Sequence, residues 1–317
     1  MTIDAAAVAA RARAIGFLAC GVAPLGPSQR AAAFDDWLAR GYAGTMRYLH
    51  RQAKKRKQPG LIVKGAQAAV VVLENYLPAD GRTDRRAAGR TVRIAKYARG
   101  ADYHAVMRPR LGLLAEFLLD QGASVAHAWV DSGPVPEREL AERAGLGWIG
   151  KNTMLIRPGA GSFFFIGTVF TDLALEPAMP LAADHCGTCT RCLDACPTQA
   201  LVEPRVLDAT RCISYLTIEQ KRDMPPELAA RLDGWAFGCD VCNDVCPWNE
   251  RFAVPTTWPE YQARQDPDTA DPGYFERIEA GEFDARFGET PLARPGLERM
   301  RRNWRAAWGS LAERGHR

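Results

Sequence analysis

Eight of the nine cysteines of this chain lie between positions 186 and 246, and their spacing constrains the fold more than any other feature. The first four follow the pattern C-x2-C-x2-C-x3-C-P, with which bacterial ferredoxins bind three thiolates to one 4Fe-4S cluster and the fourth to another. The next four repeat the end of that pattern, and a long insertion sets their first cysteine apart. In chain order, these residues are Cys186, Cys189, Cys192, Cys196, Cys212, Cys239, Cys242 and Cys246.

Exchange of the fourth cysteine between the two sets divides the thiols into two groups. The first thiol group is Cys186, Cys189, Cys192 and Cys246, and the second thiol group is Cys196, Cys212, Cys239 and Cys242. We therefore predict two 4Fe-4S clusters and one-electron chemistry. A zinc site is the alternative, but zinc favours two well-separated C-x2-C pairs. The ninth cysteine, Cys20, lies among apolar residues, and we expect it to be buried without a role.

Length and composition indicate a globular, enzyme-sized protein. The 317 residues, 47% of them hydrophobic, are enough for one large domain and a smaller one. The first residues lack the pattern of a signal peptide, and no apolar run reaches the roughly 18 residues that span a bilayer. Because cytosolic thiols stay reduced, cluster ligation is favoured over disulfides. We expect a cytoplasmic monomer that does not enter the membrane.

Hydrophobic periodicity predicts an α+β protein. The expected domains are an N-terminal sheet domain over 1–178, a ferredoxin-like domain with two clusters over 179–254, and a linker with a basic C-terminal helix over 255–317. Pro177 and Pro180 mark the first boundary. Helices are expected over 4–15, 28–50, 108–121, 137–144 and 296–312, strands over 70–73 and 125–130, a β-hairpin joining 154–156 to 163–170, and an extended segment over 255–274.

One glycine pattern imitates a dinucleotide-binding motif. Gly145, Gly147 and Gly150 have the spacing G-x-G-x-x-G, but the pattern follows a predicted helix and precedes a predicted strand. A Rossmann turn has the reverse order. The pattern therefore does not predict a nucleotide cofactor, and the sequence has no GxxxxGK[ST] phosphate loop either.

Positive charge is concentrated in three stretches although the net charge is only +4. The stretches are 47–57, 82–99 and 294–317, and Trp304 and Trp308 lie within the last of them. Each stretch alone is as consistent with a solvated helix face as with a binding surface. Together they suggest a surface that binds nucleic acid.

Four linked motifs closely resemble the epoxyqueuosine reductase family. They are the segments 100–104 (GADYH), 130–138 (VDSGPVPER) and 141–152 (AERAGLGWIGKN), and the cysteine run ending in CPTQAL. The resemblance extends from about Gly41 towards the C-terminus, and the chain is also similar to corrinoid reductive dehalogenases. The resemblance to epoxyqueuosine reductases implies an oxidoreductase of queuosine biosynthesis. Such an enzyme uses cobalamin and two 4Fe-4S clusters to remove the epoxide oxygen of epoxyqueuosine at the wobble position of tRNA.

The resemblance also implies the site residues. Asp131 follows a predicted strand and precedes a Ser-Gly-Pro turn, and it becomes the proton donor. The alternative is that Asp131 caps the following short helix. The implied cofactor-binding residues are Arg56, Tyr103, His104, Asp131, Lys151, Asn152, Leu155, Ile166, Ser214, Thr217 and Asp240.

Three positions refine this expectation. Asp102 and His104 begin an Asp-x-His-x-x-Gly pattern of cobalt-ligating histidines, but Met107 replaces the glycine, so we expect no histidine on cobalt. Ala95 occupies a position at which some relatives carry a cysteine, and this excludes a thiol mechanism there. Trp148 is either a core aromatic residue or a surface on which a base stacks.

The expected partners are tRNA, bound through its phosphates, and an external low-potential electron donor of the flavodoxin or ferredoxin type. A corrinoid dehalogenase and a ferredoxin-like electron carrier are the alternatives. A dehalogenase is usually exported behind a twin-arginine signal, which the N-terminus lacks. A simple carrier has no use for so long a segment before its clusters.

Overall fold

A computed structural model of the protein describes residues 4–79, 91–175, 183–264 and 266–314. The expected boundary at Pro177 and Pro180 and part of the second basic stretch lie outside the described residues. The strands are β1 (Ala19–Pro24), β2 (Ala68–Asn75), β3 (Arg93–Ile94), β4 (Ala126–Trp129), β5 (Trp148–Ile149), β6 (Leu155–Ile156), β7 (Phe164–Thr171), β8 (Leu201–Glu203), β9 (Val206–Leu207) and β10 (Trp235–Phe237).

The helices are mostly short, and the longest two, of 18 residues each, are the fifth and the last. They are α1 (Ala5–Ile15), α2 (Ala31–Ala39), α3 (Arg47–Arg51), α4 (Ala53–Lys57), α5 (Tyr103–Asp120), α6 (Glu137–Arg143), α7 (Arg191–Asp194), α8 (Ile213–Ile218), α9 (Pro226–Ala229), α10 (Val241–Asp244), α11 (Pro247–Phe252), α12 (Tyr274–Arg277), α13 (Ala280–Phe287) and α14 (Leu297–Arg314). The mixture of helices and sheet confirms the α+β class.

A four-stranded sheet forms the middle layer of the N-terminal part, with strand order β1-β2-β7-β4 and antiparallel neighbours throughout. Strand β2 is buried along its whole length. Val70 and Val72 pack with α1 and α5 on one face, whereas Val71 and Leu73 pack with α6 on the other. Alternation with a period of two places both sets of side chains in cores. The predicted buried strand at 70–73 is confirmed.

Helix α5 begins earlier than the predicted start at residue 108. The Asp102 side chain accepts a hydrogen bond from the His104 N–H and caps the helix, as aspartate commonly does at this position. This cap extends the helix back to Tyr103. The first turn of α5 therefore carries Tyr103 and His104, two of the residues expected to bind the cofactor.

Two predicted elements before the cysteine region are wrong. The helix over 28–50 is broken between α2 and α3, where Gly41 and Gly44 adopt positive φ angles of 73° and 55°. The hairpin is also absent: β6 pairs with β5, and β7 pairs with β2 and β4 in the central sheet. Local alternation does not identify the partner of a strand, because a partner distant in sequence competes with the nearest one.

The segment over 255–274 is not an extended linker. Trp258 and Tyr261 are buried in the core of the sheet layer, where Trp258 contacts Phe17. The C-terminal helix α14 packs on β10, and its Trp304 is fully buried. The C-terminal part of the chain therefore packs against both the sheet layer and the region that carries the cysteines.

Candidate active site and thiol centre

The thiols of the first group lie close enough to influence one another's charge. Burial raises the pKa of Cys246, two backbone N–H groups oppose this, and the charges of Cys186 and Cys189 add to it. Burial also raises the pKa of Cys192 to about 11, with further contributions from Cys186 and Cys246. Cys246, distant in sequence, thus lies beside the first three cysteines, as crossed ligation requires.

The thiols of the second group are likewise neighbours. Burial raises the pKa of Cys242 well above its ordinary value, and the charges of Cys212, Cys196 and Cys192 raise it further. Burial raises the pKa of Cys239, followed by the charge of Cys242. Because Cys192 belongs to the first group, the two groups adjoin each other.

The donor set suits iron-sulfur clusters. Among the described residues, no three His, Cys, Asp or Glu side chains converge in a way that would hold a single metal ion. A 4Fe-4S cluster makes a different demand, because its four thiolates bind four separate irons. Two adjoining sets of four thiols fit two such clusters, while ligation by the individual cysteines stays a prediction.

Polar side chains from the sheet domain hold the cysteine loops in place. The Lys151 ammonium donates hydrogen bonds to the backbone carbonyls of Gly187, at 2.7 Å, and Cys189, at 3.0 Å. The buried Asn152 amide donates to the Cys242 carbonyl at 3.3 Å. Both residues were expected to contact a cofactor, but these bonds are to the loops around the thiols.

A pocket of about 490 Å³ opens between the sheet layer and the thiol region. Leu155 and Ile166 form part of its apolar wall, and Ser214 and Cys212 lie on the side of the second thiol group. The volume is within the range of roughly 300–1,000 Å³ that is usual for ligand sites. Because a thiol of the second group lines the pocket, an electron donor and a bound substrate would be near neighbours.

Asp131 projects into this pocket from the loop between β4 and α6. Its backbone is in the left-handed region, with φ of 45°, which aspartate tolerates better than most residues. Its N–H donates to Glu137 Oε1 at 2.7 Å, and its Oδ2 accepts the hydroxyl of Tyr103 at 2.6 Å. Pro136, without a side-chain cap, precedes α6. The alternative that Asp131 caps this helix is therefore wrong.

The hydroxyl that orients Asp131 keeps its proton. Burial first and the charge of Asp131 second raise the pKa of Tyr103 above its ordinary value. The ring of Tyr103 stacks on Phe165, with centroids 4.3 Å apart, and on His104, at 4.2 Å. His104 Nδ1 lies 2.7 Å from Asp102 Oδ1, which fixes the imidazole at the pocket wall.

Glu137 is a functional candidate that the sequence prediction missed. Burial raises its pKa to about 8, and the charge of Asp131 contributes, while the Asp131 N–H and the charges of Arg138 and Arg56 oppose the shift. Glu137 lines the pocket beside Asp131. At neutral pH the pocket wall therefore carries a protonated carboxyl group next to the predicted proton donor.

The remaining predicted residues lie behind the described pocket wall. Arg56 donates to the Gly133 carbonyl at 3.3 Å, and its buried Nε has no partner among the described residues. The Thr217 hydroxyl accepts the Gly238 N–H at 3.0 Å. Asp240 is 2% exposed and accepts the Lys96 backbone N–H at 2.7 Å. These contacts support the Asp131 loop and the second thiol group.

Lys96 is a second candidate that the sequence prediction missed. Its side chain is 3% exposed, and its Nζ lies 2.7 Å from Asp244 Oδ1 and 3.7 Å from Asp240 Oδ2. Burial disfavours the charged ammonium, but the two aspartates more than offset this, so the pKa of Lys96 is raised above its ordinary value. A basic stretch indicates solvent exposure, and only the fold reveals this burial.

Several arginines of the C-terminal basic stretch form hydrogen bonds within the protein. The guanidinium groups of Arg299, Arg301 and Arg302 donate to backbone carbonyls, among them those of residues 218, 275 and 216. These bonds attach α14 to the rest of the chain. The expectation that this stretch supplies a broad nucleic-acid surface is not supported for these three residues.

The basic stretch over 47–57, unlike the C-terminal one, presents exposed cations close in sequence to pocket-lining residues. Its exposed cations lie on α3 and α4, directly after Met46 and around Tyr48, which both line the pocket. We call these two helices the rim helices. Their exposed basic residues are Arg47, Arg51, Lys54 and Lys55.

Trp148 belongs to an aromatic cluster beside the first thiol group. It is 3% exposed and contacts His185 and Trp248 at centroid distances of 4.9 Å each. The core interpretation is correct, and a stacking surface for a base is excluded here. Within the described ranges, no helix combines the length and apolar character needed to cross a membrane.

Family models match both parts of this site. One described as "Epoxyqueuosine reductase QueG, DUF1730" matches residues 56–132, and one described as a 4Fe-4S double cluster binding domain matches residues 185–249. An epoxyqueuosine reductase of Xanthomonas campestris is 44% identical over 310 residues, covering 95% of this chain and 85% of the relative. That of Cellulophaga algicola is 40% identical over 298 residues, covering 93% and 95%.

Solved structures agree with the sequence relatives. An epoxyqueuosine reductase crystallised with an epoxyqueuosine-modified tRNA-Tyr stem loop superimposes with a TM-score of 0.86 at 29% identity, covering 96% of this chain and 81% of that one. The Bacillus subtilis enzyme, solved with an aspartate-bearing catalytic loop swung out of its active site, gives a TM-score of 0.82 at 28% identity, covering 98% and 82%. Sequence identity over nearly the full length of both relatives shows that this chain belongs to the epoxyqueuosine reductase family of oxidoreductases.

Proposed function

We propose that this protein reduces the epoxide of epoxyqueuosine at the wobble position of tRNA to queuosine, with cobalamin in the pocket, two 4Fe-4S clusters as the electron path, and Asp131 as the proton donor. One observation carries the proposal. The Asp131 carboxyl is held in the pocket by Tyr103, and a cysteine of the second group, Cys212, lines the same pocket. A proton source and an electron source thus meet at one cavity.

The pocket lining suits one face of a large, amide-rich cofactor. An apolar wall with Leu155, Phe164 and Ile166 can cover the face of a macrocycle. Arg56 lies behind this wall, and its buried Nε, which has no partner among the described residues, would be satisfied by an amide oxygen that reaches past the wall. When bound and reduced, cobalamin supplies a strong carbon-bond-forming reductant, which an epoxide requires.

The chain's own residues supply the proton. Removal of an epoxide oxygen as water consumes two electrons and two protons. Asp131 in its protonated form, with Oδ2 accepting the Tyr103 hydroxyl, donates one of these protons to the departing oxygen, as a positioned general acid does, and solvent supplies the other. Glu137, protonated at neutral pH and accepting the Asp131 N–H, adds no negative charge beside the departing oxygen.

Electrons enter the thiol region at the first thiol group, away from the pocket. Most of residues 183–191, the loop around Cys186 and Cys189, are exposed, whereas residues 232–238, which precede Cys239, are all buried. An external donor of the flavodoxin or ferredoxin type would therefore reduce the first cluster. The second cluster, which adjoins the pocket, would pass electrons onward one at a time.

The rim helices are the proposed contact with tRNA. Their exposed cations, Arg47, Arg51, Lys54 and Lys55, follow closely in sequence on the pocket-lining Met46 and Tyr48 and suit phosphate groups. A wobble base splayed from the anticodon loop would enter the pocket past them, in the way that proteins commonly bind loop bases. A related reductase has been solved with such a stem loop.

Anaerobic incubation of the reconstituted protein with cobalamin, a low-potential reductant and epoxyqueuosine-tRNA tests the proposal. Mass spectrometry of the released nucleosides should show queuosine, and omission of cobalamin should abolish it. Absence of queuosine from the complete mixture would contradict the proposed activity. A parallel incubation with an organohalide tests the dehalogenase alternative, and rapid cluster oxidation without either product would indicate an electron carrier.

A further inference from the structure

We infer that the buried Lys96 sets the reduction potential of the second cluster, because its ammonium offsets two carboxylates that lie beside the cluster ligands. The inference deepens the proposed function, since it rests on the ligand assignment of the second thiol group. It concerns a residue of the electron path that neither binds iron nor lines the described pocket wall.

The geometry fixes Lys96 on the cluster loop in two ways. Its backbone N–H donates to Asp240 Oδ2 at 2.7 Å, and its Nζ lies 3.7 Å from the same oxygen. Its Nζ also donates to Asp244 Oδ1 at 2.7 Å. The Lys96 and Asp240 side chains are each 3% exposed, so water screens their charges weakly.

Both carboxylates are adjacent to proposed ligands. Asp240 lies between Cys239 and Cys242 in the sequence, and its charge acts on both thiols. Asp244 lies two residues after Cys242. A charge on Lys96 or Asp240 is therefore close to the second cluster, and Asp244 lies between a proposed ligand of that cluster, Cys242, and one of the first cluster, Cys246.

The sign of the effect follows from electrostatics. Reduction adds one negative charge to the cluster, so a nearby ammonium favours the reduced form and nearby carboxylates disfavour it. Loss of the Lys96 charge makes the surroundings of Asp240 and Asp244 more negative and lowers the reduction potential. Loss of the Asp244 charge has the opposite effect and raises it.

Opposite signs distinguish tuning from structural support. Lys96→Met and Asp244→Asn both remove the same 2.7 Å ion pair, so a purely structural role would disturb the cluster loop in both variants without a reversal of sign. Lys96→Arg keeps the positive charge and serves as the matched control.

The test is a redox titration of the reconstituted protein, followed by electron paramagnetic resonance, in the wild type and the three variants. Cys212→Ser, which lacks a proposed ligand of the second cluster, identifies which midpoint belongs to that cluster. We expect Lys96→Met to make this midpoint potential more negative. The equilibrium constant for reduction should fall at least tenfold, which corresponds to about 59 mV for one electron. Asp244→Asn should shift it upward, and Lys96→Arg should leave it near the wild-type value.

The outcomes separate two failures. A wild-type protein without two sets of iron and sulfide would overturn the ligand assignment and the proposed electron path. Two assembled clusters with the same midpoints in wild type and Lys96→Met would overturn only the role of Lys96. Shifts of the same sign in Lys96→Met and Asp244→Asn would also overturn that role, because they would indicate a disturbed loop.

Discussion

Acidic side chains lie on both sides of the boundary between the pocket and the second thiol group, half-buried on the pocket side and buried on the other, and their surroundings differ. Glu137 lies beside Asp131 at the pocket, and burial with that neighbouring negative charge raises its pKa to about 8. Asp240, beside Cys239, is buried against the ammonium of Lys96. One site keeps a proton on a carboxyl group, and the other balances carboxylates with a fixed positive charge.

The difference matches the two tasks that we propose for the protein. A site that donates protons needs a group whose protonation changes near working pH. A site that carries electrons needs charges that stay constant while the cluster charge changes. We therefore expect substitutions at the pocket to change proton delivery and substitutions at the thiol groups to change electron delivery.

The largest effect is expected from Cys212→Ser. Loss of a proposed ligand should remove the second cluster, so iron content should fall by about half and queuosine formation should stop. Cys20→Ser is the matched control, because Cys20 lies on β1, outside both thiol groups. Iron and sulfide assays with nucleoside mass spectrometry measure both quantities. Full iron content in Cys212→Ser would exclude it as a ligand.

Asp131→Asn should reduce turnover by roughly 100-fold to 10,000-fold, the usual contribution of a general acid. The amide cannot donate a proton in the same way, although it keeps the size of the side chain and its contact with Tyr103. Iron content and cobalamin binding should match the wild type. Turnover within threefold of the wild type would remove Asp131 from the mechanism.

Glu137→Gln should change the pH profile of turnover more than its maximum. The pKa of Glu137 is raised to about 8 by burial and by Asp131, so the carboxyl is neutral below that pH and becomes charged above it. Wild-type turnover should therefore fall as pH rises through about 8, because a charged Glu137 disfavours the negative charge that develops on the departing oxygen. In Glu137→Gln the side chain stays neutral, so the decline should move to higher pH; an unchanged decline would assign it to another group.

Alanine substitutions on the rim helices should have the smallest effect at low salt. Each lost phosphate contact should reduce the slope of log affinity against log salt by roughly 0.7 to 0.9. Arg47→Ala and Lys54→Ala test this in tRNA titrations, and Arg13→Ala on α1 is a matched control outside the pocket wall. Equal slopes in all four proteins would exclude the rim helices as the tRNA contact.

The short cysteine spacings predict an iron-sulfur region, and the 4Fe-4S double cluster model matches it over residues 185–249. A motif and a strand end also point to Asp131, which lines the pocket, while its role and the individual ligands stay predictions. Glu137 and Lys96 escape prediction, because their properties depend on burial by segments distant in sequence. The β7 strand shows the same limit, since its pairing with β2 overrides the local hairpin pattern.

The expected cytoplasmic location, the monomeric state and the identity of the electron donor stay predictions. They depend on features other than the pocket and the thiol groups. By contrast, the proposal that the pocket delivers protons and the thiol groups deliver electrons predicts that both are needed for each turnover.

A single-turnover experiment tests that claim most directly. Protein reduced beforehand, freed of excess reductant and loaded with cobalamin, is mixed anaerobically with epoxyqueuosine-tRNA, and samples are quenched for nucleoside mass spectrometry and for electron paramagnetic resonance of the clusters. We predict that queuosine appears in step with the loss of the reduced-cluster signal. Queuosine formation with the clusters still fully reduced, or cluster oxidation by the tRNA without queuosine, would contradict the account.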